Sequence, residues 1–165
     1  PEAFLKKPVS DTEELPKADS YMLNIDKLDF DKAGAKAYHL EATEARHFKR
    51  RNRLELDQPS MTTFNQNDTL HPWQMTAKKG SIYNSGERAV FKGDVYAWQE
   101  TESNIKNELR TDRLVLFPNK HVAETESLVT ITTPRGKITG IGMQADLNSE
   151  QFKLLSNVKG VHHAL

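Results

Sequence analysis

Apolar residues recur at every second position along most of the chain, and this period of two constrains the fold more than any other feature. Residues 141–147 alternate between apolar and small or polar side chains, and residues 114–116 and 128–131 have strand-like composition. Turn sequences such as Asn84-Ser-Gly86 and Thr133-Pro-Arg-Gly136 separate these runs. A period of two puts one face of a strand in the core and the other in solvent, so the pattern predicts half-buried strands joined as antiparallel hairpins.

A weak internal repeat runs through the same region. At intervals of roughly 31 to 35 residues, a small or apolar residue is followed three positions later by a similar one, in the pairs Ala42/Ala45, Ala77/Gly80, Thr111/Leu114 and Gly142/Ala145. Repeated strand-turn-strand units favour stacked β hairpins that bury their apolar faces against each other. A helix is the alternative over residues 148–158. Asn148 could be its N-cap, and Phe152, Leu155 and Val158 stand at helical spacing. We expect a strand there, because the other units have strands at the equivalent place.

The segment Gly140-Ile-Gly-Met-Gln-Ala145 matches the G-x-G-x-x-A pattern of a dinucleotide-binding turn. Such a turn also needs a following helix, a second strand and an acidic residue about 20 positions later. Few residues follow Ala145 in this sequence, and no alternation of strands and helices precedes the motif. We therefore interpret Gly140 and Gly142 as strand positions that permit a bulge or the close approach of another backbone.

The composition predicts one folded domain preceded by a linker. The chain has 165 residues with 23 basic and 23 acidic side chains, so no overall field attracts it to nucleic acid or to an anionic membrane. It has no cysteine, which excludes disulfides and thiolate metal sites. Residues 1–20 are rich in proline and charge. We expect a flexible tether over residues 1–20 and a β domain over residues 21–165.

No catalytic, cofactor or metal motif stands out in the sequence. The histidines are not paired at helical spacing, and neither G-x-S-x-G nor H-E-x-x-H is present. We therefore expect no enzyme, no cofactor and no metal. Two carboxylates from distant strands, Glu55 and Asp94 for example, keep a β-sandwich carbohydrate-active enzyme open as an alternative. The basic stretch from His47 to Arg53 fits either a solvated turn or a contact with phosphates.

The alternation also predicts which side chains face the interior. These are Met61, Phe64, Met75, Phe91, Val95 and Ile141. In most proteins such residues form an ordinary hydrophobic core. An open stack of hairpins could also hold acyl chains in a groove between its faces.

Three motifs, taken in their order and spacing, resemble the LptC family of lipopolysaccharide-transport proteins. They are Gln58-Pro59-x-Met-Thr-Thr-Phe64, Trp73-x-Met-x-Ala77 and Gly93-Asp-Val95, within a likeness that extends over residues 20–162. The resemblance implies an all-β fold, a twisted open β-jelly roll of stacked antiparallel hairpins (OstA-like). It also implies a location in the periplasm of a Gram-negative bacterium, where an N-terminal helix that is not in this sequence would anchor the domain to the inner membrane.

The resemblance implies a non-enzymatic role in lipopolysaccharide transport and cell outer membrane biogenesis. The protein would receive lipopolysaccharide from an inner-membrane ABC transporter at its N-terminal edge and hand it to LptA at its C-terminal edge. Positions matched to the family place four further residues in the lipid groove, namely Ile25, Leu56, Ser149 and His162. The LptA edge would comprise Phe152, Leu154, Leu155, Val158 and Val161. The same edges could support weak self-association, and a generic periplasmic lipid or lipoprotein carrier is a further alternative.

Overall fold

The described residues form one antiparallel sheet of 11 strands. The computed structural model describes residues 18–65 and 67–162. The first strand begins at Ser20, and nearly all of the tether expected over residues 1–20 lies outside the described residues. No helix within the described ranges is long and apolar enough to cross a membrane.

The strands follow each other with short connections. They are β1 (Ser20–Phe30), β2 (Lys36–Phe48), β3 (Arg53–Asp57), β4 (Ser60–Asn65), β5 (Asp68–Thr76), β6 (Lys79–Tyr83), β7 (Arg88–Glu100), β8 (Lys106–Phe117), β9 (Val122–Thr133), β10 (Gly136–Asp146) and β11 (Gln151–His162). Single 3-10 turns occur at Lys49–Arg51, Asn84–Gly86, Glu102–Asn104 and Pro118–Lys120. The segment for which a helix was the alternative forms strand β11, as the repeat predicted.

The pairing order leaves a free edge at each side of the sheet. Among the described strands, β1 pairs with β2 alone and β11 pairs with β10 alone. On its other side β2 pairs with both β3 and β4, which continue through β6 and β5 to β7, and β8, β9 and β10 follow in order. The predicted open all-β architecture of antiparallel hairpins is confirmed.

A line of backbone irregularities crosses the sheet, and we call it the crease. Gln58 N donates to Lys78 O and Lys78 N donates to Gly93 O, each at 2.9 Å, so the breaks in neighbouring strands lie side by side. Beyond β7 the line continues as register shifts between β7 and β8, β8 and β9, β9 and β10, and β10 and β11. Residues with left-handed φ mark it, namely Asn24, Gln58, Gly93, Asp94, Gly142 and Asn157. Because a bulge bends its strand, the crease folds the sheet into two leaves that face each other.

The pairs of small or apolar residues three positions apart in the sequence mark the position of this crease. In a regular strand, residues three apart face opposite sides of the sheet. Ala42 and Ala45 are nevertheless both buried, and so are Thr111 and Leu114. The backbone changes phase between the members of each pair, so that both side chains reach the core. The repeat therefore marks where successive strands bend.

The same phase change corrects the prediction for Ile141. Gly142 has a φ of +83°, and the register between β9 and β10 shifts between Ile141 and Met143. Met143 is 1% exposed, whereas Ile141 is 40% exposed, and its cross-strand partner Leu128 is also exposed. A strict period of two is wrong here, because the bulge turns Ile141 away from the interior.

The hydrophobic core lies between the two leaves. Its most deeply buried side chains include Leu40 in β2, Leu56 in β3, Phe91 and Val95 in β7, and Val129 in β9. These strands are spread across the sheet from β2 to β9 and contribute to both leaves. Burying a side chain of this size stabilises a fold by about 1.5–3 kcal/mol, so the apolar contact between the leaves is the main force that keeps them together.

We expect Gly142→Ala to be more destabilising than Gly34→Ala. Both glycines have left-handed φ, +83° and +87°, and a Cβ in that conformation costs about 1–2 kcal/mol. A Cβ on Gly142 would also lie 2.9 Å from Leu155 Cδ1, whereas nothing lies within 4 Å of one on Gly34. Urea denaturation should give a loss in the free energy of unfolding of about 1 kcal/mol for Gly34→Ala and at least about 2 kcal/mol for Gly142→Ala. Equal losses would contradict the packing of β11 on Gly142.

Candidate functional site

A cavity of about 210 Å³ lies between the leaves. Its walls are largely apolar and come from β4, β5 and β7–β11, with Met61, Met75, Leu109, Leu114, Ile131 and Met143 among the lining residues. An apolar cavity of about 150 Å³ holds a molecule of the size of benzene. The space therefore suits part of an acyl chain, and a larger lipid would fit only if the leaves moved apart.

A polar cluster borders the cavity. Gln99, which is 3% exposed, donates from Nε2 to the carbonyl of His71 at 3.0 Å and to Glu150 Oε1 at 2.9 Å. Its Oε1 accepts a hydrogen bond from Asn107 Nδ2 at 3.1 Å. A buried amide with both of its polar atoms paired costs little to desolvate. The cluster can therefore sit against the apolar space and fix the connection that carries Glu150.

Residues 147–150 join the paired ends of β10 and β11 on one leaf and are hydrogen-bonded to the other leaf, and we call them the strap. Asn65 Nδ2 donates to the carbonyls of Leu147 and Asn148, at 3.1 Å each. Asn67 Nδ2 donates to the Asn148 carbonyl at 3.4 Å. Asn65 and Asn67 lie where β4 turns into β5, far from the strap in sequence and in strand order. Leu147 and Glu150 of the strap line the cavity, so the strap covers part of its mouth.

Asp146 fixes the backbone at the start of the strap. Its Oδ1 accepts hydrogen bonds from the N–H groups of Ser149 at 3.1 Å and Asn148 at 2.9 Å. These bonds favour the charged carboxylate and hold the pKa of Asp146 below its ordinary value of 3.8. Because the pKa is depressed in the folded state, this stabilisation is fully present above pH 3.8 and is lost as the pH falls below that value. The charged carboxylate therefore fixes the backbone at the start of the strap at neutral pH.

Strand β11 presents apolar side chains at one free edge of the sheet. Four of the five residues predicted for this edge are between 45% and 62% exposed, namely Phe152, Leu155, Val158 and Val161. The fifth, Leu154, packs against the core. Phe152 also lines the cavity. The interior space and the free edge therefore meet at one side chain.

The residues predicted for the groove fall into three groups. Met61 and Met75 line the cavity, and Leu56, Phe91 and Val95 are buried in the core beyond it. Ile25 is partly buried against that core, and Phe64 is half-buried with the Lys36 ammonium 5.8 Å from its ring centroid. Three predicted residues do not join these groups: Ile141 on the outer face, Ser149 exposed in the strap, and His162 at the end of β11, whose side chain lies outside the described part of the chain.

Several cavity residues were missed by the sequence analysis. Leu109 and Ile131 are cross-strand partners in β8 and β9. Both stand in segments of alternating apolar and polar residues, so counting every second residue from the bend in each strand could have found them. Gln99 and Asn107 could not have been found in this way. A polar residue facing the interior breaks the alternation, and no local pattern in the sequence signals it.

The carboxylates proposed for the enzyme alternative do not share a site. Glu55 lies 3.0 Å from Arg53 Nε and accepts a hydrogen bond from Ser81 Oγ. Asp94 pairs with Lys78 Nζ at 3.1 Å. Neither residue lines the cavity. Each carboxylate is balanced by its own neighbours, an arrangement typical of structural surface charges.

Asp26, His39 and Glu41 form a cluster of metal-ligating residue types on β1 and β2. Asp26 lies 2.5 Å from His39 Nε2, and Glu41 lies 3.9 Å from Nδ1. The three residues offer ligand atoms within 4.8 Å of one another, but exposed acidic groups commonly cluster in this way without binding a metal. The structure shows one hydrogen bond in this cluster, between His39 Nε2 and Asp26 Oδ1.

The sequence matches the family model for LptC, described as lipopolysaccharide-assembly, LptC-related, over residues 5–163. The protein belongs to the LptC family. Members of this family are periplasmic components of lipopolysaccharide transport, and the family predicted from the three motifs is confirmed. No curated protein sequence matches the chain significantly.

The fold is similar to that of LptH, described as the LptA-homologous periplasmic component of the conserved lipopolysaccharide transport device from Pseudomonas aeruginosa. The two structures superpose with a TM-score of 0.61 at 9% identity, over 77% of this chain and 95% of LptH. At this identity the likeness concerns the fold, and it confirms the predicted β-jelly roll of the transport family.

We expect the double variant Asn65→Ala/Asn67→Ala to loosen the strap while leaving the core folded. It removes two asparagine side chains that donate to the strap from the other leaf, and each hydrogen bond is worth about 1 kcal/mol. Amide hydrogen exchange over residues 147–150 should therefore become at least about tenfold faster. Asn119→Ala, which changes an exposed amide in another turn, is the control and should leave this exchange unchanged. Identical exchange in both variants would show that these bonds do not hold the strap.

Proposed function

We propose that the protein is a conduit subunit that carries lipopolysaccharide between its two leaves. It receives the lipid from an inner-membrane ABC transporter at the β1 edge and passes it to LptA at the β11 edge. It performs no covalent chemistry, and an N-terminal helix outside this sequence anchors it to the inner membrane. The observation that carries the proposal is the apolar cavity that reaches the free β11 edge at Phe152.

The energetics of lipid transport require a continuous apolar path. Exposing one methylene to water costs about 0.8 kcal/mol, so a lipid with several acyl chains cannot cross an aqueous compartment unprotected. The apolar cavity between the leaves supports such a path on the β11 side, with Met61, Met75 and Met143 in its walls. Methionine side chains are flexible and polarisable, which suits a wall that must contact a moving chain in many positions.

The two free edges supply the means of joining this path to its neighbours. An edge strand carries unpaired N–H and C=O groups that can pair with a strand from another chain. If LptA adds a strand to β11, both the sheet and the interior space continue into the next molecule. The exposed apolar side chains of β11 lie along this edge and would be covered in the complex.

The closed carrier and the glycosidase are less well supported. A carrier that encloses its lipid has no use for an unpaired edge beside the apolar space, whereas a conduit needs one where it hands the lipid on. A glycosidase needs two carboxylates facing each other across a cleft, and Glu55 and Asp94 are each paired elsewhere.

A photocrosslinking residue at Leu109 should label lipopolysaccharide. Leu109 is half-buried and lines the cavity, so its replacement by p-benzoyl-phenylalanine places the reactive ketone in the space between the leaves. The same replacement at Leu70, which is 84% exposed, is the control. Labelling at Leu109 no stronger than at Leu70 would reject the interior as the lipid path.

Two charges introduced into the β11 edge should abolish binding to LptA. Val158→Glu/Val161→Glu changes residues that are 57% and 62% exposed, so the fold should survive while the docking edge becomes charged. Leu70→Glu/Leu128→Glu, at positions that are 84% and 59% exposed, is the matched control. In a pull-down with purified LptA we expect at least about a tenfold loss for the first variant and none for the second. Retained binding by Val158→Glu/Val161→Glu would place the LptA surface elsewhere.

A further inference from the structure

The turn between β2 and β3 presents adjacent exposed cations on a fixed backbone. Lys49, Arg50 and Arg51 form a single 3-10 turn and are all exposed. Asn52, in the left-handed conformation with φ 46°, ends the turn, and its N–H donates to the Lys49 carbonyl at 3.0 Å. The Asn52 carbonyl accepts a hydrogen bond from Asn84 N at 3.0 Å. The turn is therefore anchored to the neighbouring β6–β7 connection.

The positive charge of this turn is not balanced nearby. Within residues 18–65 and 67–162, no carboxylate forms an ion pair with the side chain of Lys49, Arg50 or Arg51. Asp19 Oδ2 accepts from the backbone N–H of Lys49 at 2.5 Å and supplies a single negative charge. The next cation along the chain, Arg53, is already paired with Glu55. Three adjacent like charges repel one another, and a bound polyanion would relieve that repulsion.

The position of the turn relates it to the space between the leaves. Strands β2 and β3 end there, on the side of the sheet away from the crease, so the turn lies on the rim of a leaf. The chain enters the sheet beside it, since Asp19 N donates to the His47 carbonyl at 2.7 Å. The turn is thus at the β1 side of the rim, whereas the cavity lies toward β11.

Among the described residues, the rim of the opposite leaf has no comparable cluster. Its turns at residues 31–35, 101–105 and 134–135 carry Lys32 and Arg135 together with Asp31 and Glu102, so the two signs are matched. We call the turn Lys49–Arg51 the cationic lip. A cargo whose chains lie between the leaves has its head group at the rim, where one leaf offers concentrated positive charge and the other does not.

We infer that the cationic lip binds phosphate groups on the head group of an acylated cargo at the receiving end of the conduit. The inference rests on the proposed function and adds a head-group subsite to it. Arginine and lysine both bind phosphate, and arginine can donate two parallel hydrogen bonds. A site on the rim holds the head group of a lipid while its chains enter between the leaves, and it meets the cargo before the cavity does.

The test compares two triple variants of the full chain. Lys49→Gln/Arg50→Gln/Arg51→Gln removes the cationic lip, and Lys32→Gln/Lys106→Gln/Arg135→Gln removes the same net charge from exposed positions at the ends of the opposite leaf. Binding is measured with diphosphoryl lipid A and with the same lipid A after enzymatic removal of its phosphates. We expect the first variant to lose about tenfold or more in affinity for diphosphoryl lipid A. The control variant should bind it like the unchanged protein, and the two variants should bind the dephosphorylated lipid equally.

Three outcomes would overturn the inference. Equal losses in both variants would indicate a general charge effect, and an equal loss for phosphorylated and dephosphorylated lipid would show that phosphate is not recognised. Lip-dependent binding to phosphatidylglycerol vesicles without lipid A, at the same affinity, would make the turn a membrane contact. Labelling through Leu109 separates this inference from the proposed function. If the Lys49→Gln/Arg50→Gln/Arg51→Gln variant keeps both its affinity for lipid A and its labelling through Leu109, only the assignment of the lip fails. If no variant is labelled through Leu109, the proposed conduit itself fails.

Discussion

The change of backbone phase along the crease is the constraint on which the other features depend. A regular sheet with a period of two would keep its apolar residues on one face and leave that face open. Here, successive strands change phase at neighbouring positions, as the hydrogen bonds from Gln58 to Lys78 and from Lys78 to Gly93 indicate, and the two halves of the sheet are turned toward each other. The space between the leaves, the strap that spans it and the rims on either side all follow from this bend.

The strap and the polar cluster around Gln99 act on the same part of that space. Asn65 and Asn67 reach the strap from one side, and Gln99 reaches Glu150 from another. All of these are hydrogen bonds between groups that water could also satisfy, so opening the strap costs far less than separating the buried core. The mouth of the cavity is therefore among the least costly parts of the domain to rearrange, while Leu56 and Phe91 keep the leaves together elsewhere.

The all-β class, the hairpins and the strand at residues 151–162 could be predicted from the sequence, because alternation and turn residues are local signals. The family could be predicted from the order and spacing of three motifs. The orientation of individual side chains was less accessible, as Ile141 illustrates: a glycine with positive φ reverses the parity of everything beyond it, and no count of alternating residues detects this. The i, i+3 pairs did contain the information, since both members of such a pair can be buried only if the strand changes phase between them.

The long strands run through both leaves, and this has a mechanical consequence. β2 and β7–β10 each pass through the crease without interruption, so neither leaf can swing independently as a separate lid would. Prising the leaves apart at one edge strains successive bends, and the strain spreads sideways through the ladder of backbone hydrogen bonds. The domain should therefore deform as one elastic body, and a bulky guest at one end alters the gap available at the other.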